Sequence, residues 1–210
     1  MVRRISLLIV ALLFLGTMSI FAAENTPVSQ VSDDVAAVLS EESAEVAARK
    51  NDVVFLQIGN YAAVSNGTLT WVDRENNHVI PYIKEGRTMV PLRFLAEEMG
   101  ATVGYDEQTR GITITLSGIV MELWAGKAEY YVNGEACLMD CAAEIFEDRT
   151  FVPVRFVSES LGKSVEWLNE ERIVVITSAD APWQKENSLE LAVLAEIRLH
   201  LSPLGRDKIQ

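Results

Sequence analysis

The sequence predicts an α+β protein with one antiparallel-sheet domain and a C-terminal helix. Two tandem repeats build the domain, each with a β-hairpin, a short helix and a second β-hairpin. The first observation is that the segment Arg87–Asp106 returns later in the chain, position by position, as Arg149–Leu168. The second is a switch, within each copy, from helical spacing to a period of two, which is typical of half-buried antiparallel strands. Such a repeat limits the architectures open to the rest of the chain.

Each repeat contains a short helix that is expected to begin at a proline. The residue before a proline is disfavoured in the α region, so Val90 and Val152 should end extended segments. Proline is favoured at the first helical position, so the helices should begin at Pro91 and Pro153. Apolar residues then recur at i, i+3 and i+7, which is one helix face. They are Leu92, Leu95 and Met99 in the first copy and Val154, Val157 and Leu161 in the second.

Eight residues at matching positions form the structural signature of the repeat. They are Pro91, Arg93, Glu97, Gly100, Pro153, Arg155, Glu159 and Gly162. The arginine and glutamate of each copy lie four residues apart, where an ion pair stabilises a helix by about 0.3–0.5 kcal/mol. A pair that awaits a ligand is the alternative, but recurrence in both copies favours a structural role. Each glycine follows its helix, where a left-handed C-terminal cap is expected.

The first 23 residues have the layout of a secretory signal peptide. Arg3 and Arg4 precede an apolar run, and small residues follow at Ala22 and Ala23. A retained anchor is the alternative, because the apolar run is just long enough to span a bilayer. Residues 24–52 are acidic and rich in alanine and serine, which favours a linker or a weakly held helix. The expected localisation is extracytoplasmic, either secreted or associated with the cell envelope.

The predicted domain covers residues 53–178, divided into repeats 53–117 and 118–178. Each repeat opens with an apolar strand and a glycine, followed by Asn66-Gly67 or Asn133-Gly134, a dipeptide that favours tight hairpins. These two turns lie farther apart in sequence than the two copies of the helical segment do. The first repeat therefore has an insertion within Leu69–Val79, and we expect it to lie on the surface.

Residues 179–210 form a tail that is expected to contain a helix over Ser188–Leu201. Asn187 can cap this helix, with Glu190 three residues later. Residues 196–202 also alternate as a strand does, so a strand is the alternative there. The apolar side of the helix would either pack on the domain or dock a partner.

The sequence predicts no catalytic residue, no cofactor-binding residue and no metal ligand. His78 and His200 are far apart in sequence, which disfavours a histidine-based metal cage or a serine–histidine–aspartate triad. A phosphate-binding glycine loop and a dinucleotide fingerprint do not occur. Cys137 and Cys141 are too distant to bridge on a straight strand, but a turn between them would bring them close. Free thiols and a local disulfide therefore both stay open.

The charge balance is strongly acidic. The formal net charge is −12, and loss of residues 1–23 would remove two arginines and no acidic residue, which gives −14. This charge disfavours nucleic acid and anionic lipid as partners bound by bulk electrostatics. Contact with a membrane is expected only through an uncleaved N-terminal segment.

The repeated motif R-T-x-V-P-x-R-F-x-x-E-x-x-G, the hairpins before it and the strand with Tyr105 or Trp167 after it resemble the copper amine oxidase N-terminal-like domain, also called the stalk domain. The resemblance covers about Val53–Thr177. It implies an extracytoplasmic α+β module of antiparallel strands and short helices. In amine oxidases the copper and the quinone belong to a separate catalytic domain, so the resemblance brings no catalytic residue or cofactor to this chain.

The sequence therefore favours an exported, non-enzymatic stalk-type module that binds a cell-envelope component or a protein, or acts as a spacer. The alternative is an accessory subunit that docks through its C-terminal helix. The least favoured function is a wall hydrolase that uses carboxylates such as Glu97, Glu159 and Asp106. Only the many acidic residues and the export signal motivate that last hypothesis.

Overall fold

The computed structural model describes residues 40–41, 43–51 and 53–201. The predicted signal peptide, most of the predicted linker and residues 202–210 lie outside these ranges. The described chain is α+β, with antiparallel sheets and a C-terminal helix, as the sequence predicts.

The described residues form fourteen strands and four helices. The strands up to residue 117 are β1 (Val53–Gln57), β2 (Ala62–Ser65), β3 (Thr68–Trp71), β4 (Tyr82–Lys84), β5 (Arg87–Pro91), β6 (Thr102–Asp106) and β7 (Gly111–Leu116). The later strands are β8 (Ile119–Trp124), β9 (Glu129–Val132), β10 (Glu135–Leu138), β11 (Glu144–Phe146), β12 (Arg149–Pro153), β13 (Lys163–Leu168) and β14 (Ile173–Ser178). The helices are α1 (within 40–50), α2 (Leu92–Glu98), α3 (Val154–Ser160) and α4 (Ser188–Leu201).

The strands are divided among three sheets. The first sheet has the order β13-β14-β1-β2-β3, the second β10-β9-β8-β7-β6 and the third β11-β12-β5-β4. Each sheet therefore takes strands from both predicted halves of the domain. β14 pairs with β1, which joins the two ends of the domain, and β12 pairs with β5 at the centre of the third sheet. The short strands β4 and β11 were not anticipated from the sequence.

Two hydrophobic cores lie on opposite faces of the first sheet. β1 places Val54 and Leu56 in the main core, which the three sheets share, and Val53 and Phe55 in a second core with α1 and α4. β14 alternates between the two cores in the same way. Strands that are covered on both faces have nearly continuous apolar sequences, whereas β7 alternates because one of its faces meets solvent.

The two short helices start one residue later than predicted. Pro91 still pairs with Phe151 of β12 and keeps an extended conformation, with φ −61° and ψ 121°. Pro153 pairs with Met89 in the same way. Each proline is therefore the residue before its helix, because the strand pairing holds it extended. The predicted apolar faces of both helices are buried, which confirms that part of the prediction.

Both helices end at the predicted glycines. Gly100 has φ +80° and Gly162 has φ +72°, the left-handed conformation that glycine adopts without a steric penalty. The Gly100 amide donates to Glu97 O at 2.9 Å, and the Ala101 amide donates to Ala96 O at 2.8 Å. These two hydrogen bonds define a Schellman cap.

The C-terminal helix packs on the domain through its apolar face. Val193, Ile197 and Leu201 of α4 are fully or almost fully buried in the second core. The strand alternative for residues 196–201 is wrong, because these residues continue the helix; residue 202 lies outside the described ranges. α1, within the predicted linker, adds Val46 to the same core.

An ion pair with little solvent access ties α1 to α4. Arg49 Nη2 lies 2.7 Å from Glu190 Oε1, and the Arg49 guanidinium also lies over the Trp183 ring at 5.6 Å from its centroid. The Glu190 side chain is only 5% exposed, so its charge depends on Arg49 for compensation.

Replacing Ile197 by alanine tests whether α4 belongs to the fold. Ile197 is 1% exposed, so Ile197→Ala should lower the free energy of unfolding by about 2–5 kcal/mol. Leu199 lies in the same helix at 75% exposure, and Leu199→Ala should change it by less than about 0.5 kcal/mol. Urea unfolding followed by circular dichroism gives both values. Equal, small effects of the two substitutions would mean that α4 does not pack on the sheet.

Candidate functional site

A cleft of about 620 Å³ lies where the β4–β5 hairpin, the start of α3 and the β13–β14 hairpin meet. Its wall combines the aromatic side chains of Phe156 and Trp167 with the charged side chains of Arg87, Asp140 and Arg155. The volume falls in the range of about 300–1,000 Å³ that is usual for small-molecule sites. The cleft is therefore a candidate binding site.

The turn between β4 and β5 sets the position of Arg87. Glu85 and Gly86 both have positive φ, at 51° and 75°, as a two-residue primed turn requires. This turn pairs Lys84 with Arg87 across the hairpin. Arg87 thus starts β5 at the rim of the cleft.

Arg87 forms an ion pair with an acidic residue from the other half of the domain. Arg87 Nε donates to Asp140 Oδ2 at 2.5 Å. The hydrogen bond from Arg87 lowers the pKa of Asp140, and the same contact raises the pKa of Arg87. Asp140 follows β10 and Arg87 begins β5, so the contact fixes one wall of the cleft across the two halves.

A matching ion pair lies at the corresponding position of the other half. Arg149 Nε donates to Asp73 Oδ2 at 2.6 Å, and Arg149 Nη2 donates to Glu75 Oε2 at 3.0 Å. Burial raises the pKa of Asp73, but hydrogen bonds from Arg149 and from backbone amides outweigh it, so this pKa lies below its ordinary value.

Asp73 and Val79 flank the insertion, since Asp73 matches Asp140 at the interval of the hairpin turns and Val79 matches Cys141 at the interval of the signature residues. The residues between them are exposed except for the half-buried Asn76, which confirms that the insertion lies on the surface.

A third polar contact joins the edge strands β4 and β11. Tyr82 donates its hydroxyl hydrogen to Glu144 Oε1 at 2.5 Å, and Lys84 Nζ donates to Glu144 Oε2 at 2.5 Å. The hydrogen bond from Lys84, followed by that from Tyr82, lowers the pKa of Glu144. Burial and the adjacent carboxylate raise the pKa of Tyr82. The two edge strands of the third sheet thus approach each other.

The structure divides the eight signature residues between two places. Pro153 and Arg155 line the cleft, and Arg155 Nη1 lies 3.4 Å from Glu159 Oε1 in an exposed ion pair. Gly162 caps α3 behind them.

The matching signature residues of the first half do not line this cleft. Pro91, Arg93 and Glu97 lie on β5 and α2, and Gly100 caps α2. Arg93 and Glu97, both in the described part of the chain, lack the ion pair that Arg155 and Glu159 form. Arg155 therefore differs from Arg93 by its place at the cleft, which sequence alone did not indicate.

Asp106 and Glu159, two of the carboxylates considered for hydrolysis, form contacts within a turn and on a helix. Asp106 accepts hydrogen bonds from the amides of Gln108 and Thr109, and Thr109 lowers its pKa most strongly. A lowered pKa keeps Asp106 ionised near neutral pH, which is unsuitable for a general acid. Glu159 is about half exposed and contacts Arg155. Among residues 40–41, 43–51 and 53–201, no three His, Cys, Asp or Glu side chains are grouped so as to hold a metal ion.

Both cysteines are free thiols in the structure. Cys137 is partly buried on β10, and Cys141 is buried, with its Sγ 3.8 Å from Met89 Sδ. Burial raises the pKa of the Cys141 thiol, and a buried thiol of this kind is poorly reactive. Of the two alternatives left open by the sequence, the structure has the free thiols.

Sequence reasoning missed the ion-paired residues that join the two halves, which are Arg87, Asp140, Arg149 and Asp73. The signal was present in the numbering. Arg87 and Arg149 are separated by the same interval as the signature residues, and Asp73 and Asp140 by the same interval as the hairpin turns. A charged pair that recurs at both intervals indicates contacts between the halves.

The fold and the cleft define a class of protein, an antiparallel α+β module with a cleft of ligand size. Residues 74–176 match the family model of the copper amine oxidase N-terminal domain, so this part of the chain belongs to that domain family. The family is a non-catalytic module of copper amine oxidases. The predicted resemblance is thereby confirmed.

No match was found among curated proteins. Each helix in the described ranges is too short or too polar to cross a membrane.

Replacing Asp73 by asparagine tests the ion pair with Arg149. The pKa of folded Asp73 lies below its ordinary value of 3.8, so the pair stabilises the fold above about pH 4. That stability is lost as the pH falls through the lowered pKa. Asp73→Asn should therefore reduce stability at pH 7 and flatten its decrease below pH 4. Urea unfolding between pH 2 and 7 measures the free energy of unfolding of the unchanged protein and of Asp73→Asn. An equally steep decrease below pH 4 in the two proteins would contradict the assignment.

Proposed function

We propose that this protein is an exported, non-enzymatic module that binds a component of the cell envelope through the cleft beside Arg155 and Trp167. The signal-peptide pattern of residues 1–23 supports export and an extracytoplasmic location. The non-catalytic character of the domain family supports a binding role. The cleft is the observation that carries the proposal, because it places an aromatic ring and an exposed guanidinium at one solvent-open site.

We infer further that residues 53–117 and 118–178 are two copies of one unit. The support is that the strand orders of the first and second sheets correspond when each strand is replaced by its counterpart in the other half. The same replacement, applied to the third sheet, gives the strand order of that sheet again, read from its other end. The crossed pairs Arg87–Asp140 and Arg149–Asp73 follow the same rule.

Docking through the C-terminal helix is the second candidate, and the packing of α4 restricts it. The apolar face of α4 is already buried against the first sheet, so a partner would meet the opposite face. Two large apolar side chains on α4 remain exposed, Leu191 at 52% and Leu199 at 75%. Two separate side chains provide little apolar area, which makes this candidate weaker than the cleft.

The hydrolase hypothesis has the least support. Retaining and inverting glycosidases need a carboxylic acid with a raised pKa as the proton donor. The carboxyl groups of Asp73, Asp106, Asp140 and Glu144 have lowered pKa values. None of these four groups is suited to donate a proton near neutral pH.

Sedimentation with cell wall tests the proposed function. The mature chain, residues 24–210, is mixed with purified wall from its own source and pelleted at increasing protein concentration. We expect saturable co-sedimentation that survives moderate salt. Trp167→Ala should weaken it about tenfold, since the ring provides apolar contact within the cleft.

Trp71→Ala is the matched control. Trp71 is 45% exposed, lies outside the cleft and stacks on Tyr61, so its loss should leave sedimentation unchanged. Failure of the unchanged protein to sediment would contradict wall binding and favour a spacer or a protein partner. Equal losses for Trp71→Ala and Trp167→Ala would place the binding surface outside the cleft.

A further inference from the structure

We propose that the ligand of the cleft is a saccharide that carries a carboxylate, and that Arg155 binds this carboxylate. The inference rests on the proposed function and specifies its ligand class. In the bound state the sugar ring lies against Trp167 and Phe156, and its hydroxyl groups meet the Arg87–Asp140 pair.

The charges around the cleft select Arg155 as the anion-binding residue. The chain as a whole has a net charge of −12, so its surface in general repels anions. The cleft differs, because its lining includes Arg87, Arg155 and Asp140, two positive groups and one negative group. Asp140 is already paired with Arg87 through a hydrogen bond of 2.5 Å. Arg155 is therefore the charged residue of the lining that has no partner within the lining, since Glu159, with which it pairs, lies outside it.

The present partner of Arg155 is easily displaced. Arg155 Nη1 and Glu159 Oε1 are 3.4 Å apart, and the two side chains are 58% and 52% exposed. Exposed pairs of this kind stabilise a protein by about 0–1 kcal/mol. A ligand carboxylate can take up two parallel hydrogen bonds from a guanidinium, which is the stronger geometry. Binding therefore costs little in lost protein contacts.

The remaining lining favours a sugar over other carboxylates. Arg87 donates hydrogen bonds and Asp140 accepts them, side by side at the rim, while a sugar hydroxyl does both. Thr88 adds a hydroxyl group to the same wall. Trp167 and Phe156 supply apolar surface for the C–H face of a ring. The cleft volume of about 620 Å³ lies within the range of small-molecule sites, which suits a small sugar unit.

The test compares two sugars that differ in one acidic group. N-acetylmuramic acid carries a lactyl ether with a carboxylate, and N-acetylglucosamine lacks it. Each is titrated into the ¹⁵N-labelled mature protein, and the indole N–H signal of Trp167, assigned with Trp167→Phe, reports occupancy of the cleft. We expect N-acetylmuramic acid to bind at least about tenfold more tightly, since a hydrogen bond to a charged group is lost with the carboxylate.

Arg155→Gln and Arg93→Gln form a matched pair of variants. Both arginines occupy the same position of the repeated motif, both are exposed, and only Arg155 lines the cleft. Arg155→Gln should remove the preference for the acidic sugar, and Arg93→Gln should retain it. Thermal unfolding of both variants shows that the fold is kept.

Three results would overturn the inference. They are equal affinity for the two sugars, equal affinities of the two arginine variants for N-acetylmuramic acid, and saturation of the cleft by an N-acetylated tripeptide with a free C-terminal carboxylate but not by the acidic sugar. Wall sedimentation separates this outcome from failure of the proposed function. If the protein sediments with wall but binds the two sugars equally, the proposed function is supported and the proposed ligand class is wrong. If the protein binds the acidic sugar but does not sediment with wall, the ligand class is supported and the proposed envelope role is wrong.

Discussion

The pairing of strands from opposite halves of the domain is the constraint on which the rest of the structure depends. β14 pairs with β1 in the first sheet, β7 with β8 in the second, and β12 with β5 in the third. Each of the three sheets thus needs strands from both halves. The main core is filled from all three sheets, so neither half can bury its apolar residues alone. The cleft also needs both halves, since β4 and β5 of the first half form one wall and β13 and β14 of the second half form another.

Two ion pairs likewise join residues from opposite halves of the domain. The arginine that begins β5 is paired with Asp140, and the arginine that begins β12 is paired with Asp73. Asp140 is exposed enough that its pair adds little stability, whereas Asp73 is largely covered by its surroundings. The main effect of the Arg87–Asp140 pair is thus on the positions of its side chains and not on the stability of the fold. It holds a donor and an acceptor at the rim of the cleft and leaves Arg155 as the charge available to a ligand.

Local features of the fold could be predicted from the sequence because they depend on local chemistry. The spacing of Leu95 and Val157 identified helix faces, and Gly100 and Gly162 identified the left-handed caps. Alternation assigns a residue to a face of a strand but does not name the neighbouring strand. Alternation therefore could not predict how the strands are divided among three sheets. The exact helix start was also missed, because the pairing of Pro91 with Phe151 is a tertiary contact.

The packing of the C-terminal helix had a signal that was not used. Val53–Leu56 and Ile173–Ile176 are unbroken apolar runs, and such runs indicate strands covered on both faces. The covering layer is α4 with α1, which leaves the apolar face of α4 occupied. The cleft itself could not be predicted, because Arg87, Asp140 and Arg155 meet only after strands distant in sequence have paired. Its recognition needs the three-dimensional arrangement.

Native-state hydrogen exchange at low denaturant concentration tests the interleaving of the halves most directly. We predict that the hydrogen-bonded amides of the β1–β14 pair and of the β5–β12 pair exchange only through one opening, with the same free energy and the same dependence on denaturant. That result would establish a single cooperative unit spanning both halves. Exchange of β1 and β14 through a separate opening of lower free energy, with β5 and β12 still protected, would contradict it.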